Sequence, residues 1–220
     1  MDGESARGHL VCVLRHAHAG ELAACQAYRG HAASVSDPAE KARIRQIEEE
    51  EWVHRRQVGE MLAALGEAPN AAQERKLLLI GKIIALLCRI GGWYVPMYGA
   101  GRLESHNVKE YEDAADFAVA CGHTEFVECL LEMAEVEWDH EAYFRGKVES
   151  HWLRHVIRVW PAIPPKSAIR TSFARRNPGH GPRVQPRATR ATLGSPARSS
   201  SIVHRQPGRR SAVRNTTASP

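Results

Sequence analysis

Apolar residues recur through most of the first 160 positions at alternating steps of three and four, the spacing of one face of a helix packed in a bundle. Alternation with period two, the pattern of a β-strand, is nearly absent. With N-cap and C-cap signals, this pattern predicts four long helices. The first spans about 9–33, the second begins at Asp37 and Pro38 and ends near Leu65 and Gly66, the third spans about 97–121, and the last runs from about 123 to Pro161. We therefore predict an all-α four-helix bundle.

A strongly apolar stretch of about residues 71–100 separates the second and third of these helices and is interpreted as a long crossover. Basic residues recur in it every seven positions, hence along one stripe, and aromatic residues follow. This arrangement is typical of a helix lying in a membrane interface, but the stretch is interrupted too often to span a bilayer. The other interpretation is a segment buried against the bundle or a second subunit. The residues expected to face a membrane are Arg75, Lys82, Arg89, Trp93 and Tyr94.

Each of the four long helices places a carboxylate in its apolar seam, where a leucine is expected. Two of them add a histidine one turn later, in EEEEWVHRR (48–56) and EVEWDH (135–140). Residues three apart lie on the same helix face, so each Glu-x-x-His pair presents an oxygen and a nitrogen in one direction. The six seam residues are Glu21, Glu51, His54, Glu104, Glu137 and His140.

Four buried carboxylates would repel one another, and burying them without compensation is costly. A pair of divalent iron ions removes this objection, because carboxylates and imidazoles bind such ions and neutralise their charge. The intervals of 30 residues from Glu21 to Glu51 and 33 from Glu104 to Glu137 suit hairpins that return to the same height. The sequence therefore predicts a di-iron site, unless the periodicity assigns exposed charges wrongly to the seam.

Three further residues lie near the predicted ligands. Tyr28 and Tyr111 each follow a seam glutamate by seven residues, hence two turns along the same face, and His18 precedes the first seam glutamate by one turn. We interpret them either as core residues or as hydrogen-bond partners that orient a ligand. Glu50 is within helical reach of His54 but points about 100° away from the seam. It is therefore not included in the predicted site.

The motifs resemble those of a known family. HAGELAACQAYRG (18–30), EEEWVHRR (49–56), Glu104 with Tyr111, and EVEWDH (135–140) are similar, in order and spacing, to the ligand motifs of the demethoxyubiquinone hydroxylases of coenzyme Q biosynthesis. The resemblance covers about residues 9–155. It implies a ferritin-like fold, the six seam residues as iron ligands, and O2-dependent hydroxylation of a polyprenylated benzoquinone ring.

The resemblance has one departure, since Glu110 stands where the family commonly has histidine before the tyrosine. If that histidine delivers electrons or protons in the family, handling of the substrate or reductant differs here. The expected partners are the quinone, O2, and an external electron donor (NADH or a reductase), because the chain has no nucleotide-binding glycine motif. We also expect contact with the inner face of the cell membrane and count a second copy of the chain as a possible partner.

Two other functions fit parts of the pattern. A rubrerythrin-like peroxidase or ferroxidase would use the same ligands on peroxide or iron, although the paired CxxC motifs of a rubredoxin domain are absent. A non-enzymatic helical scaffold would bind nucleic acid through a basic tail and would hold no iron.

Charge is distributed unevenly along the chain. Residues 164–220 contain 12 Lys and Arg, no Asp or Glu, and 8 of the 12 prolines. Residues 1–163 hold 18 Lys and Arg against 25 Asp and Glu, a formal charge of −7 within a chain of +5. We predict a folded domain over 1–163 and a disordered basic tail over 164–220. Five scattered cysteines and the lack of a signal-peptide pattern favour a reduced, cytoplasmic protein.

Overall fold

The computed structural model describes residues 2–180, which form six α-helices and no β-strand. The helices are α1 (Gly3–Ser34), α2 (Pro38–Ala64), α3 (Ala71–Ile90), α4 (Tyr94–Ala120), α5 (Val127–Ser150) and α6 (Ser167–Arg176), with short 3-10 turns at Thr124–Phe126 and Trp152–His155. Helix α1 packs along α2, α3 and α4, and α4 packs along α5. The predicted all-α bundle is confirmed, with α1, α2, α4 and α5 as its four long helices and α3 as the crossover.

Local signals set the helix ends. The side chain of Asp37 accepts a hydrogen bond from the backbone nitrogen of Glu40 at 2.8 Å, and Pro38 begins α2, where its missing N–H costs nothing. Gly66 and Gly122 follow α2 and α4 with φ of 71° and 84°, a left-handed conformation that glycine adopts without a Cβ clash. The predicted stops at these two glycines are therefore confirmed.

The apolar core consists of two clusters, and the predicted ligands lie between them. On α1, Glu21 is flanked by Ala17 of one cluster and Ala24 of the other. On α2, Glu51 and His54 lie between Ile47 and Val58 in the same way. The first cluster includes Leu10, Leu14, Leu62, Leu130 and Leu131, and the second includes Ile44, Ile47, Met97, Phe144 and Val148. The polar residues thus form one layer across the middle of the bundle.

Helix α3 approaches α1 closely because two glycines leave the necessary space. A Cβ at Gly81 would lie 2.5 Å from the carbonyl oxygen of Ala23, and a Cβ at Gly30 would overlap the backbone of Ala85. The outward side of α3 remains exposed and carries Leu79, Ile83, Leu86, Leu87 and Ile90 together with Arg75, Lys82 and Arg89. Between residues 2 and 180, no helix has the length and apolar character needed to cross a membrane.

Two residues predicted to face a membrane lie elsewhere. Tyr94 is buried, and Trp93 is half-buried with its Nε1 donating to Glu40 Oε2 at 2.7 Å. Both rings pack against His151, at centroid distances of 5.2 Å for Trp93 and 5.0 Å for Tyr94. The two aromatic residues were expected to follow the basic stripe, but α3 ends at Ile90 and the chain turns into α4 at Tyr94.

The last bundle helix is shorter than predicted. Helix α5 ends at Ser150, and side-chain hydrogen bonds rather than a helix hold the following segment. Trp160 is buried and donates Nε1 to Glu141 Oε1 at 2.7 Å, while Arg145 donates to the carbonyl oxygens of Trp160 at 3.2 Å and Pro161 at 2.9 Å. The apolar residues after α5 therefore keep the spacing of an α-helix, but the segment forms only a short 3-10 turn at Trp152–His155.

The predicted start of the disordered tail at residue 164 was wrong. Residues 167–176 form α6, in which Ile169 and Phe173 are buried in the core cluster with α4 and α5. Arg170 pairs with Glu128 at 2.8 Å and with Glu135 at 2.6 Å. The basic residue Arg170 of α6 thus pairs with acidic residues of α5. The buried side chains of Ile169 and Phe173 pack this short helix against the bundle. The rest of the predicted tail, residues 181–220, lies outside the described residues.

Replacing Phe173 with alanine is expected to lower the free energy of unfolding by about 3–5 kcal/mol, because the ring is completely buried. Thr171→Ala, at an exposed position of the same helix, serves as the control and is expected to change it by less than about 0.5 kcal/mol. Urea unfolding of the two variants measures the difference. Equal midpoints would show that α6 does not contribute to the stability of the bundle.

Candidate metal centre

The six seam residues lie together inside the bundle. Glu21 comes from α1, Glu51 and His54 from α2, Glu104 from α4, and Glu137 and His140 from α5, and each is at most 3% exposed. The structure therefore buries all six predicted ligands and brings them into one layer.

These residues form two overlapping groups that share two carboxylates. Glu51 and Glu137 belong to both groups. The remaining members are Glu21 and His54 in one group and Glu104 and His140 in the other. Within each group the oxygen and nitrogen atoms lie within 4.8 Å of one another. Two ions held in this way would share two bridging carboxylates, and each would have one further carboxylate and one imidazole of its own.

Both imidazoles turn the same ring nitrogen towards the shared carboxylates. His54 Nδ1 lies 3.0 Å from Glu137 Oε1 and 3.5 Å from Glu51 Oε2. His140 Nδ1 lies 3.2 Å from Glu51 Oε1 and 3.4 Å from Glu137 Oε2. The carboxylate oxygens and ring nitrogens thus surround a common space between the helices.

Many of these polar atoms are buried without a hydrogen bond. Neither oxygen of Glu51 or Glu137 has a partner, and the same holds for Glu21 Oε2 and for Nδ1 of both histidines. The distances between them suit ion pairs, but the atoms are not aligned for hydrogen bonds. Buried polar atoms normally have partners, so this set fits metal ions, which bind oxygen and nitrogen lone pairs directly.

Burial and mutual repulsion divide the carboxyl groups into two kinds. Burial, followed by the charge of Glu51, raises the pKa of Glu21 well above its usual value; burial, followed by the charge of Glu137, does the same for Glu104. Burial also opposes ionisation of Glu51, but the interaction with the His140 imidazole, whose Nδ1 lies 3.2 Å from Glu51 Oε1, outweighs it and lowers the pKa of that carboxyl. The central carboxylates are therefore the charged ones in the metal-free protein.

The two histidines carry the compensating charge. Burial lowers the pKa of each imidazole, but the neighbouring Glu137 and Glu51 outweigh it, raising the pKa of His54 to about 9 and that of His140 well above 6.5. The directions of these pKa shifts favour imidazolium ions beside the two shared carboxylates and protonated carboxyls at Glu21 and Glu104. Exchanging these four protons for two divalent cations leaves the formal charge of the six groups at zero, so the residues fit a pair of such ions.

The two predicted tyrosines contact ligands, but each reaches the opposite helix. Tyr28 of α1 donates to Glu104 Oε1 on α4, and Tyr111 of α4 donates to Glu21 Oε1 on α1. His18 contacts none of the six ligands, and its Nδ1 lies 2.9 Å from Glu74 Oε1 of α3. The prediction that His18 orients a ligand was therefore wrong, because the approach of α3 supplies a carboxylate for it.

Sequence reasoning missed two residues that contact the ligands. Glu50 accepts a hydrogen bond from His140 Nε2 at 2.7 Å, since a side chain pointing away from its own seam reaches the neighbouring helix. Asn107 donates Nδ2 to Glu104 Oε2 at 2.8 Å. Asn107 could have been found from its position three residues after the seam glutamate Glu104. Glu50 could not, because its contact depends on how α2 and α5 pack.

A cavity of about 210 Å³ reaches this layer between α1, α3 and α4. Its polar wall includes Glu21, Tyr111, Asn107 and Glu110. Its apolar wall is formed mainly by Leu77, Ile80, Ile84 and Leu103. Glu110 is mostly buried, which raises the pKa of its carboxyl. The cavity is therefore polar beside the predicted ligands and apolar beneath α3.

Comparison with known proteins gives one family. No curated protein and no solved structure matches the chain significantly. A family model described as "Ubiquinone biosynthesis protein COQ7" matches residues 8–90, which span most of α1, all of α2 and α3, and the ligands Glu21, Glu51 and His54. Residues 8–90 thus match the COQ7 family of ubiquinone biosynthesis proteins, which confirms the predicted family resemblance over the first two ligand motifs. For residues 91–155 the resemblance stays a prediction.

Proposed function

We propose that this protein is a di-iron monooxygenase that uses O2 to hydroxylate the ring of a polyprenylated benzoquinone in ubiquinone biosynthesis. The observation that carries the proposal is the pair of overlapping ligand groups with two shared carboxylates. The family match over residues 8–90 supports the biosynthetic role. In the overall reaction one oxygen atom enters the ring and the other leaves as water; an external donor such as NADH or a reductase supplies two electrons, and the two protons come from the donor and from solvent.

The ligands and the residues around them would have different roles in this reaction. When bound, the iron pair supplies the chemistry that activates O2. Glu51 and Glu137 would bridge the two ions, while the other four ligands would complete two separate positions. The hydroxyl groups of Tyr28 and Tyr111 fix the orientation of Glu104 and Glu21. Because the ligands are buried in an apolar bundle, water is largely excluded from the reacting atoms.

The cavity beneath α3 has the chemistry expected of a site for a lipid-soluble quinone. A polar ring would lie beside Glu21 and Tyr111, and an isoprenoid chain would extend along Leu77, Ile80 and Ile84. In this arrangement the carboxyl of Glu110, raised in pKa by burial, is a proton-carrying group in the cavity wall. It occupies the position at which the resemblance implies histidine, so a titratable side chain is retained there.

We also propose that α3 rests on the inner face of the cell membrane. Its outward side combines large exposed apolar residues, such as Leu79 and Leu86 at 60% and 61% exposure, with exposed Arg75, Lys82 and Arg89. Apolar side chains would enter the interface while the basic ones attract anionic headgroups. A quinone would then pass from the lipid to the cavity beneath the same helix.

Monooxygenation is tested with the full chain loaded with ferrous iron and given NADH, a short-chain demethoxyquinone and 18O2. We expect mass spectrometry to find one labelled oxygen in the quinone, and Glu51→Ala to abolish it, because a shared ligand is lost. Glu49→Ala is the matched control, since Glu49 is the exposed neighbour on α2. Peroxide consumption without a labelled quinone would instead favour the peroxidase interpretation.

Metal binding is expected to release protons and to strengthen as the pH rises. His54, with a pKa of about 9, is protonated at neutral pH, and an incoming cation must displace that proton. Calorimetry with Fe²⁺ under argon, in buffers of different ionisation enthalpy, is expected to give more than two protons released for two ions at pH 7. His54→Ala is expected to remove about one of them. Uptake without proton release would contradict the charge exchange described above.

Membrane contact is tested by flotation with anionic phospholipid vesicles. Changing Arg75, Lys82 and Arg89 to glutamate is expected to weaken binding by at least about 1 kcal/mol for each site, because attraction to the headgroups is lost. The control reverses three exposed charges away from α3, with Arg45→Glu, Arg56→Glu and Lys109→Glu. Equal loss in both triple variants would show that net charge, not the α3 surface, governs binding.

A further inference from the structure

The metal centre has two half-sites whose surroundings differ. The His54 half-site comprises Glu21 and His54, the His140 half-site comprises Glu104 and His140, and both use Glu51 and Glu137. The four helices are arranged as two similar hairpins, α1–α2 and α4–α5. The two tyrosine hydrogen bonds are equivalent in the two hairpins, because each tyrosine donates to the seam glutamate of the other hairpin. The half-sites therefore differ only in contacts other than these.

The His140 half-site is held by hydrogen bonds behind the ligands. His140 Nε2 donates to Glu50 Oε2 at 2.7 Å, and Glu50 in turn accepts from Arg43 at 3.0 Å and Gln46 at 2.8 Å. Glu104 accepts from Tyr28 on one oxygen and from Asn107 on the other. A carboxylate behind a ligating imidazole fixes the ring and increases its basicity, and loss of such a partner weakens metal binding.

The His54 half-site lacks both of these supports. The residue that matches Glu50 is Val136, which precedes Glu137, and the residue that matches Asn107 is Ala24, three positions after Glu21. Neither side chain forms hydrogen bonds. Accordingly, Glu21 Oε2 is buried without a partner, and His54 has Val136 where His140 has Glu50. The difference is therefore built into the sequence of the two hairpins.

The same half-site is the one beside the cavity. Of the six ligands, Glu21 lines the 210 Å³ cavity, together with Ala24 and Tyr111; the other half-site reaches the cavity only through Asn107, which donates to Glu104. A small molecule in the cavity would thus reach the ion bound by Glu21 and His54 before the other.

We infer that the two ions are inequivalent: the His140 half-site binds its ion first and more tightly, and the His54 half-site binds second and takes the external ligand from the cavity. This rests on the metal centre proposed above. Glu50 is a positioning residue that acts on the first ion through His140. At the second ion, Val136 occupies the equivalent position and cannot bond His54.

The inference is tested by adding Co²⁺ alone to the metal-free full chain under argon, followed by calorimetry and visible absorption. The wild-type protein is expected to bind two equivalents in two steps that differ at least about tenfold in affinity. Glu50→Gln is expected to weaken the first step about 10- to 100-fold. Val136→Glu, which offers a carboxylate to His54, is expected to strengthen the second step. Glu49→Gln is the control and is expected to leave both steps unchanged.

Azide binding supplies a second measurement, on the wild-type protein and on one cavity variant. It is expected to change the cobalt spectrum only after the second equivalent is bound, and Gly20→Leu, which narrows the cavity from a position with free space, is expected to reduce that change. Two equal binding steps, or an azide response at the first equivalent, would overturn the inequivalence and leave the metal centre standing. Failure to bind any Co²⁺ would overturn both.

Discussion

The structure depends on burying four carboxyl groups and two imidazoles at one level of a helical bundle. Uncompensated burial of that many ionisable groups would exceed the marginal stability of a domain of this size. The compensation is internal in the metal-free protein, where the imidazolium ions of His54 and His140 balance Glu51 and Glu137. Two divalent cations would balance the charge of the four carboxylates in the same way after the six groups had lost four protons. The apolar core is consequently split into two clusters, which hold the helices at the separation that the polar layer requires.

The polar layer was predictable from the sequence because each ligand interrupts the apolar seam of its own helix, a local property. The contacts behind the ligands were less predictable, since they depend on which helices are neighbours. Glu50 points away from its own seam, yet reaches His140 on α5. Helix α6 was missed for a related reason. Its composition is that of a disordered segment, and only the acidic residues and groove of the folded bundle make Phe173 and Arg170 stabilising.

Helix α3 links the metal centre to the surface because its two sides have different roles. Gly81 allows its backbone to approach α1, which leaves the cavity beside Glu21 narrow and mostly apolar. The opposite side exposes leucine and isoleucine residues that have no partner within residues 2–180. A substrate that partitions into lipid would use both sides of one helix, first as a surface on which the protein rests and then as the wall of its binding site. The proposed membrane contact and the proposed substrate are therefore physically connected.

The asymmetry of the centre follows in part from the same crossover. The hairpins themselves differ at Glu50 and Val136 and at Asn107 and Ala24, and the crossover adds a second difference. Because α3 lies along α1, the cavity reaches the ligand Glu21 and the small residue Ala24 on α1, while α4 contributes Asn107, which donates to Glu104, to the same cavity. On α1, the position that would support Glu21 is thus occupied by a residue that leaves space. The half-site supported by Glu50 and Asn107 is the one inferred to hold its ion more firmly, and the half-site of Glu21 is the one beside which a substrate would fit.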